Sequence, residues 1–481
     1  MAGTGHGGIV REGVVRESAG WASAVQGGAS RRQPAREPAA RTYARALPVV
    51  PVRARGLTIE GADGRRYLDC VSGAGTLALG HNHPVVLEAI RAVLDSGAPL
   101  HVMDLTTPVE DAFVTELLRT LPPGLAARAR VRFCGPTGTD PVATAASLVR
   151  AATGRSRVIA VSDAPEPLPE DGGAERDRPA ALLLEPVRSE AGVLPVADAL
   201  VRRLRTRTAG QGVPLVVDET ETGVGRTGAY WAFEHSGVTP DVLILAKAVG
   251  GSLPLAAVVH RDDLGDSGDS GDSGGKDTVG RPAAAHTGAT GAGAFRGNQL
   301  ALAAGAATLA HVREQRLAEH AAALGERMLT RLRALAGEFA CVGDVRGRGL
   351  MAGVELVSPD GTAHGPGDGV RRPGTGVGTG VGTGVGTGIG TGIGTGVGAG
   401  TPGTPGTPAE LAAAVRRECL HRGLIVDVTG PCANVVRLLP PLIVTEEQMS
   451  AVLDRLFDAV RAVDRHRVGG PAPLGGQHAP R

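Results

Sequence analysis

Short, strongly apolar runs, separated by stretches of helical periodicity, constrain this chain more than any other feature. Residues 157–161, 180–184, 214–217 and 242–245 are four such runs, built mainly of Val, Ile, Leu and Ala. Runs this short and this apolar suit strands buried on both faces, as in a parallel sheet. Helical patterns lie between and around them, at 84–95, 141–152, 196–207 and 299–335, the last broken once. Pro141 falls in the first turn of its helix, with Thr139 or Asp140 near the N-cap. The expected fold is therefore α/β, a large, mostly parallel sheet with crossover helices. Residues 410–463 alternate helix, strand (435–439) and helix, which predicts a second, smaller α/β domain.

Three of the runs deliver a polar residue to one end. Leu184 is followed by Glu185, Val217 by Asp218, and Leu245 by Ala246 and Lys247. Ligands of open parallel sheets bind at the carboxyl ends of the strands. An amine and an acid at that edge suit a carbonyl cofactor: the amine forms a Schiff base and the carboxylate pairs with a ring nitrogen. The plainer reading makes Asp218 a helix cap and Lys247 half of an ion pair. Composition favours chemistry. The chain holds two lysines, Lys247 and Lys276, against forty-eight arginines. Arginine stays protonated and cannot serve as an amine nucleophile; lysine can. The turn Gly135-Pro136-Thr137-Gly138-Thr139-Asp140 opens the 141–152 helix and could hold a phosphate on free N–H groups, or merely cap the helix. No Lys-Ser or Lys-Thr follows, so it is not a Walker loop.

Several segments, in order, resemble class III pyridoxal-phosphate (PLP) aminotransferases, and among them the diaminobutyrate–2-oxoglutarate enzymes. They include Gly61-Ala62-Asp63-Gly64-Arg65-Arg66-Tyr67-Leu68-Asp69, Leu79-Gly80-His81-Asn82-His83-Pro84 and residues 133–140. Leu184-Glu185-Pro186-Val187, Val217-Asp218-Glu219-Thr220-Glu221-Thr222-Gly223 and Arg226-Thr227-Gly228 follow. The remainder are Leu245-Ala246-Lys247-Ala248-Val249-Gly250-Gly251, Phe295-Arg296-Gly297-Asn298-Gln299, Gly347-Arg348-Gly349-Leu350-Met351 and Val436-Arg437-Leu438-Leu439-Pro440-Pro441. The resemblance spans residues 42–465 outside two inserts. It implies PLP fold type I, a small domain built from both chain ends, and a homodimer with active sites at the interface. Lys247 matches the Schiff-base lysine, and Asp218 the acid facing the pyridine nitrogen. Gly138 and Thr139 match the phosphate cup. Arg437 matches the arginine that grips a substrate carboxylate, and Glu185 the acid that pairs with it otherwise. The implied reaction converts glutamate and aspartate 4-semialdehyde to 2-oxoglutarate and L-2,4-diaminobutyrate. Competing readings are another fold type I PLP reaction, a racemase or decarboxylase, and a non-catalytic paralogue.

The sequence departs from the family in four places. The aromatic-His-Gly segment expected after 158–161 is missing, and residues 162–179 contain no aromatic residue. A stacking ring contributes about 1 kcal/mol. Glu221 stands where the family has the Gln that touches the cofactor's phenolic oxygen. Ala294 replaces a Thr that reaches the partner subunit's phosphate, with Thr287 or Thr290 as candidate substitutes. Ala143 stands where relatives carry Glu.

Residues 1–40 and 466–481 are expected to be disordered tails, and 262–294 and 360–408 low-complexity inserts rich in Gly, Ser, Thr and Pro. The remaining expected division is 41–100 and 336–465 for the small domain and 101–335 for the cofactor domain. A net charge of +1 argues against nucleic acid as a partner. No run is long and apolar enough to span a bilayer, and no secretory h-region opens the chain. Five scattered cysteines lack metal spacing and suit reduced thiols in the cytoplasm.

Overall fold

The computed structural model describes residues 47–103, 105–137, 140–161, 168, 177–265, 294–358 and 406–468. The chain opens on a meander, β1 (Pro51–Arg55), β2 (Thr58–Gly61) and β3 (Arg66–Asp69), followed by α1 (Pro84–Ser96) and α2 (Pro108–Thr120). Both helices begin with proline in the first turn, and the Thr107 side chain caps α2 by accepting from Glu110 N at 3.1 Å.

Next come β4 (Ala129–Cys134), α3 (Asp140–Thr153), β5 (Val158–Ala160), β6 (Ala181–Leu184), α4 (Asp198–Gly210), β7 (Leu215–Asp218), β8 (Val242–Leu245) and β9 (Ala256–Arg261). Among the described residues these strands form one six-stranded sheet, ordered β4-β9-β8-β7-β6-β5. Strands β5 to β8 run parallel, as their unbroken apolar runs require, and β9 runs antiparallel to both β8 and β4. Every residue of β8 is buried. Burial on β4 alternates, with Arg130 and Arg132 outward, as befits an edge.

The rest of the chain is α5 (Gln299–Glu314), α6 (Leu317–Glu338), β10 (Val342–Arg348), β11 (Met351–Leu356), α7 (Pro408–His421), β12 (Leu424–Ile425), β13 (Asp427–Thr429), β14 (Val435–Leu438) and α8 (Glu446–Val468). The break expected within 299–335 falls at Gln315 and Arg316, where Arg316 takes a left-handed φ of 52°. Strand β12 joins β3 in parallel, so the smaller α/β part is built from both chain ends. A second small sheet, β10-β11-β14-β13, is antiparallel throughout.

The expected tails, both inserts, Gly138, Thr139, Thr287 and Thr290 lie wholly or largely outside the described residues. The insert edges are shorter than expected. Residues Asp262–Leu264 form a helical turn whose Asp262 pairs with Arg128 at 2.9 Å. Thr407 and Glu410 form a capping box on α7. Helix α8 continues past residue 466.

Two glycines set how closely α6 approaches the loop after β7. A Cβ on Gly325 would lie 2.2 Å from the Gly349 carbonyl oxygen, and Gly349 itself, at φ 56°, lies against the Thr227 backbone. The side chain of Arg226 crosses the same junction. Its Nη1 donates to Leu350 O at 3.2 Å and to Pro440 O. Burial pulls its guanidinium down to about 10. Gly325→Ala is expected to force backbone apart here and lower stability by about 1–3 kcal/mol. A lowered thermal midpoint with unchanged far-UV circular dichroism checks this.

Candidate active site

Strand β8 ends at Leu245, and Lys247 follows in a tight helical turn with a left-handed φ of 54°. A non-glycine residue held there costs about 1–3 kcal/mol, and such strain clusters at working sites. The turn is fixed by Gly251, whose added Cβ would lie 2.2 Å from the Ala304 carbonyl of α5. The Lys247 side chain is 28% exposed. Its Nζ donates to Ala74 O at 3.1 Å and to Glu221 Oε1. The Ala74 carbonyl is presented by a loop of left-handed residues, Ser72 to Gly75. Asp69 anchors that loop by accepting from Val71 N (2.9 Å) and Ser72 N (3.1 Å) and by meeting His81 Nε2 at 2.8 Å. The N-terminal motif residues thus act on the site through one backbone carbonyl.

Asp218 ends the neighbouring parallel strand β7, one strand from Lys247, and its Oδ1 accepts from Thr220 N at 2.9 Å. Burial raises its carboxyl above the ordinary range, and the Glu221 charge adds to this; Thr220 and Lys247 oppose it. Glu185 ends β6, the next strand along. It is exposed by surface area, yet protein crowding on one side pushes its carboxyl up to about 7, with Asp218, Glu221 and Glu190 adding and Arg188 opposing.

Arg437 sits on β14 with its side chain 3% exposed. Its Nη1 donates to Ser189 Oγ (2.8 Å), Glu190 Oε1 (2.7 Å) and Glu221 Oε2 (3.4 Å), and its Nη2 donates to Asp427 Oδ2 (2.6 Å). Its Nε is buried without a hydrogen-bond partner among the described residues. The expected Glu185–Arg437 pair is therefore corrected: Glu190 takes that place. The chain reverses after Val187–Arg188 and returns as Leu194–Pro195, with Gly192 at φ 105°, and this turn carries Glu190 back over Arg437. Thr429 Oγ1 and Gly430 N hold the Glu190 carbonyl at 3.0 and 3.1 Å. Asp427 also went unnoticed in the sequence. It lies directly opposite Arg437 in the β13–β14 register, the pairing that a hairpin around 430–434 produces.

Glu221 lies between the two cations. Burial pushes its carboxyl up, but Lys247, Arg437 and Ser189 together pull it below the usual carboxylate range. Lys247, Asp218, Glu221 and Arg437 are thus gathered at one edge, and Glu185 borders them.

The sequence profile of the family described as Aminotransferase class-III matches residues 39–164 and 172–460. The chain belongs to the class-III aminotransferases. It is 36% identical to a diaminobutyrate–2-oxoglutarate aminotransferase of Rhizobium meliloti (strain 1021), over 90% of this chain and 92% of that one. It is 33% identical to the Haemophilus influenzae protein of the same name, over 89% and 94%. Among solved structures, an ornithine aminotransferase of Plasmodium yoelii superposes with a TM-score of 0.65 at 22% identity, covering 88% of this chain and 96% of that one. That likeness shows the fold.

The chain is accordingly a PLP-dependent aminotransferase of fold type I. The donor set fits the cofactor: a partly exposed strand-end amine and a carboxylate on the adjacent strand. The interruption of the family match between 164 and 172 falls within 162–179, a stretch without an aromatic residue. Ala294 opens a short helical turn, Ala294–Gly297, while Ala143 lies on α3.

The raised Glu185 carboxyl gives a pH test. Folding binds its proton more tightly than the unfolded chain does, so its contribution is present at low pH and is lost as pH rises from about 4.5 to about 7. Across that window the thermal midpoint of the cofactor-free protein should fall relative to Glu185→Gln. The Gln variant should be the more stable of the two at pH 8.

Proposed function

We propose that this aminotransferase moves the amino group of glutamate to aspartate 4-semialdehyde, giving 2-oxoglutarate and L-2,4-diaminobutyrate. The observation that carries the reading is Arg437: a buried guanidinium with a free Nε, ringed by acids, at the same edge as Lys247 and Asp218. The names of the relatives support the choice of substrates.

Bound PLP supplies an electron sink for the carbon that gains or loses the amino group. Lys247 Nζ would hold the cofactor, and its free amine would move the proton to and from the substrate Cα. Asp218, on the strand beside Lys247, would pair with the cofactor's ring nitrogen. Gly138 and Thr139, by their match to the family's phosphate cup, would hold the phosphate. Arg437 takes the glutamate carboxylate, a bidentate task suited to a planar guanidinium. Glu190 releases Arg437 when that carboxylate arrives. Its side chain is 73% exposed against 3% for Arg437, so the acid has room to swing while the arginine stays fixed. When the semialdehyde occupies the site, Glu190 returns and neutralises Arg437. That alternation suits two substrates sharing one pocket, unlike the needs of a racemase or decarboxylase.

The proposed assembly is a homodimer. Leu94, Leu100, Met103 and Leu105 are 40–66% exposed and lie close together in sequence. They flank the backbone bridge between His101 and Asn298, beside the segment that begins at Ala294. A second copy of the chain would cover this apolar surface. The proposed compartment is the cytoplasm, which suits five cysteines kept as reduced thiols, four of them buried. Among the described residues, no helix is long and apolar enough to cross a membrane.

Adding PLP to the purified protein should give a visible absorbance band that glutamate bleaches as 2-oxoglutarate accumulates, and Lys247→Ala should lack it. A band that survives in Lys247→Ala would overturn the assignment. Arg437→Lys keeps the charge and loses the fork; it should raise KM for glutamate about 10–100-fold with a smaller change in kcat.

A further inference from the structure

We propose that Glu221 couples the two ends of the site: it joins the Lys247 amine to the Arg437 guanidinium, so that a carboxylate bound at Arg437 changes the reactivity of Lys247. This rests on the roles of Lys247 and Arg437 given above, and goes beyond them in assigning a task to a residue that departs from the family.

The geometry is a bridge. Glu221 Oε1 accepts from Lys247 Nζ, while Oε2 faces Arg437 Nη1 at 3.4 Å. The two oxygens of one carboxylate therefore serve two cations. An amide at this position has one acceptor oxygen and one NH2 donor. Facing two donors, it satisfies one and opposes the other. A carboxylate here gives each cation its own acceptor oxygen, which a Gln could not. The Glu221 side chain is 13% exposed, so its charge is weakly screened. Its influence on neighbours is broad: it raises the carboxyls of Asp218 and Glu185 and supports the charge of Arg437.

The direction of coupling follows from charge balance. With no substrate carboxylate bound, Glu221 is shared between Arg437 and Lys247. A carboxylate that takes Nη1 and the free Nε of Arg437 displaces Glu190 and competes with the longer 3.4 Å contact to Glu221, and Glu221 then pairs with Lys247 alone. The tighter pair engages the amine more fully and makes it a poorer nucleophile. Departure of a carboxylate product returns Glu221 to Arg437 and frees the amine. Three groups hold the bridge in place: Ser189 beside Arg437 Nη1, Asp427 on Nη2, and the Ala74 carbonyl on Lys247 Nζ.

The scarcity of lysine makes the test direct. In a Lys276→Arg background Lys247 is the sole lysine. The cofactor-free full-length protein is labelled by reductive methylation, and the Lys247 peptide is followed by mass spectrometry with the N-terminal amine as internal control. Glutarate serves as the probe, since it carries two carboxylates and no amine. Its saturation is set by calorimetry. With Glu221 present, saturating glutarate should slow Lys247 labelling by about tenfold, and in Glu221→Gln by about twofold or less. Equal slowing in the two proteins, or none with Glu221 present and glutarate bound, would overturn the coupling while leaving the cofactor assignment intact. Absence of glutarate binding would overturn the reading of Arg437 and the coupling with it. If Glu221→Gln fails to fold, Glu221→Asp keeps the charge and shortens its reach by one methylene. Its slowing should then fall below that of the parent, and an undiminished slowing would again overturn the proposal.

Discussion

A guanidinium as deeply buried as Arg437 needs carboxylates around it, and much of the site follows from that requirement. An unpaired buried charge is too costly to keep. Asp427 meets one terminal nitrogen from the adjacent strand, and Glu190 and Glu221 meet the other. Yet the arrangement is deliberately incomplete, because Nε has no partner and Glu190 is mostly solvated. The acids thus form a graded set. Asp427 is fixed by strand register, Glu221 is fixed by two cations, and Glu190 sits on a turn held only by its backbone. The last is the one a substrate carboxylate can displace with least disturbance.

The same cluster ties the two parts of the fold together. Arg437, Asp427 and the Arg226 acceptor Pro440 belong to the smaller part, while Glu190, Glu221 and Lys247 follow strands of the large sheet. Closely approaching backbone at Gly325, Gly349 and Thr227 fixes their spacing. The register of charges therefore depends on glycines that touch neither cofactor nor substrate.

Strands β5 to β8 were legible because a strand buried on both faces must be apolar throughout, and few other local structures demand that. The acid and amine at their ends were legible for the same reason: they interrupt an apolar run. Strand β9 escaped the sequence reading despite being almost entirely buried, because its antiparallel direction leaves no mark on composition. Edge strand β4 escaped because alternating Arg130 and Arg132 dilute its apolar signal. Glu190 was missed since only the turn at 189–192 decides which of two nearby glutamates faces Arg437. Asp427 was recoverable from hairpin register alone. The phosphate turn remains a sequence assignment at Gly138 and Thr139.

The lysine count acquires a physical sense once the ion pairs are laid out. Arginine supplies the long-range pairs of this fold, among them Arg327–Glu446, Arg331–Asp454 and Arg461–Glu338 between α6 and α8. It also supplies the doubly bonded pair Arg348–Asp198 between β10 and α4. In each of these the task is to hold a charge, which a guanidinium does with more donors and less hydration than an ammonium. At position 247 the task is different. The side chain must give up its proton and form a bond, and a guanidinium cannot. A chain that has exchanged lysine for arginine almost everywhere has kept the amine at the one strand end where an acid on the next strand and a bridging carboxylate wait for it. That exception is the strongest physical argument for amine chemistry at this edge.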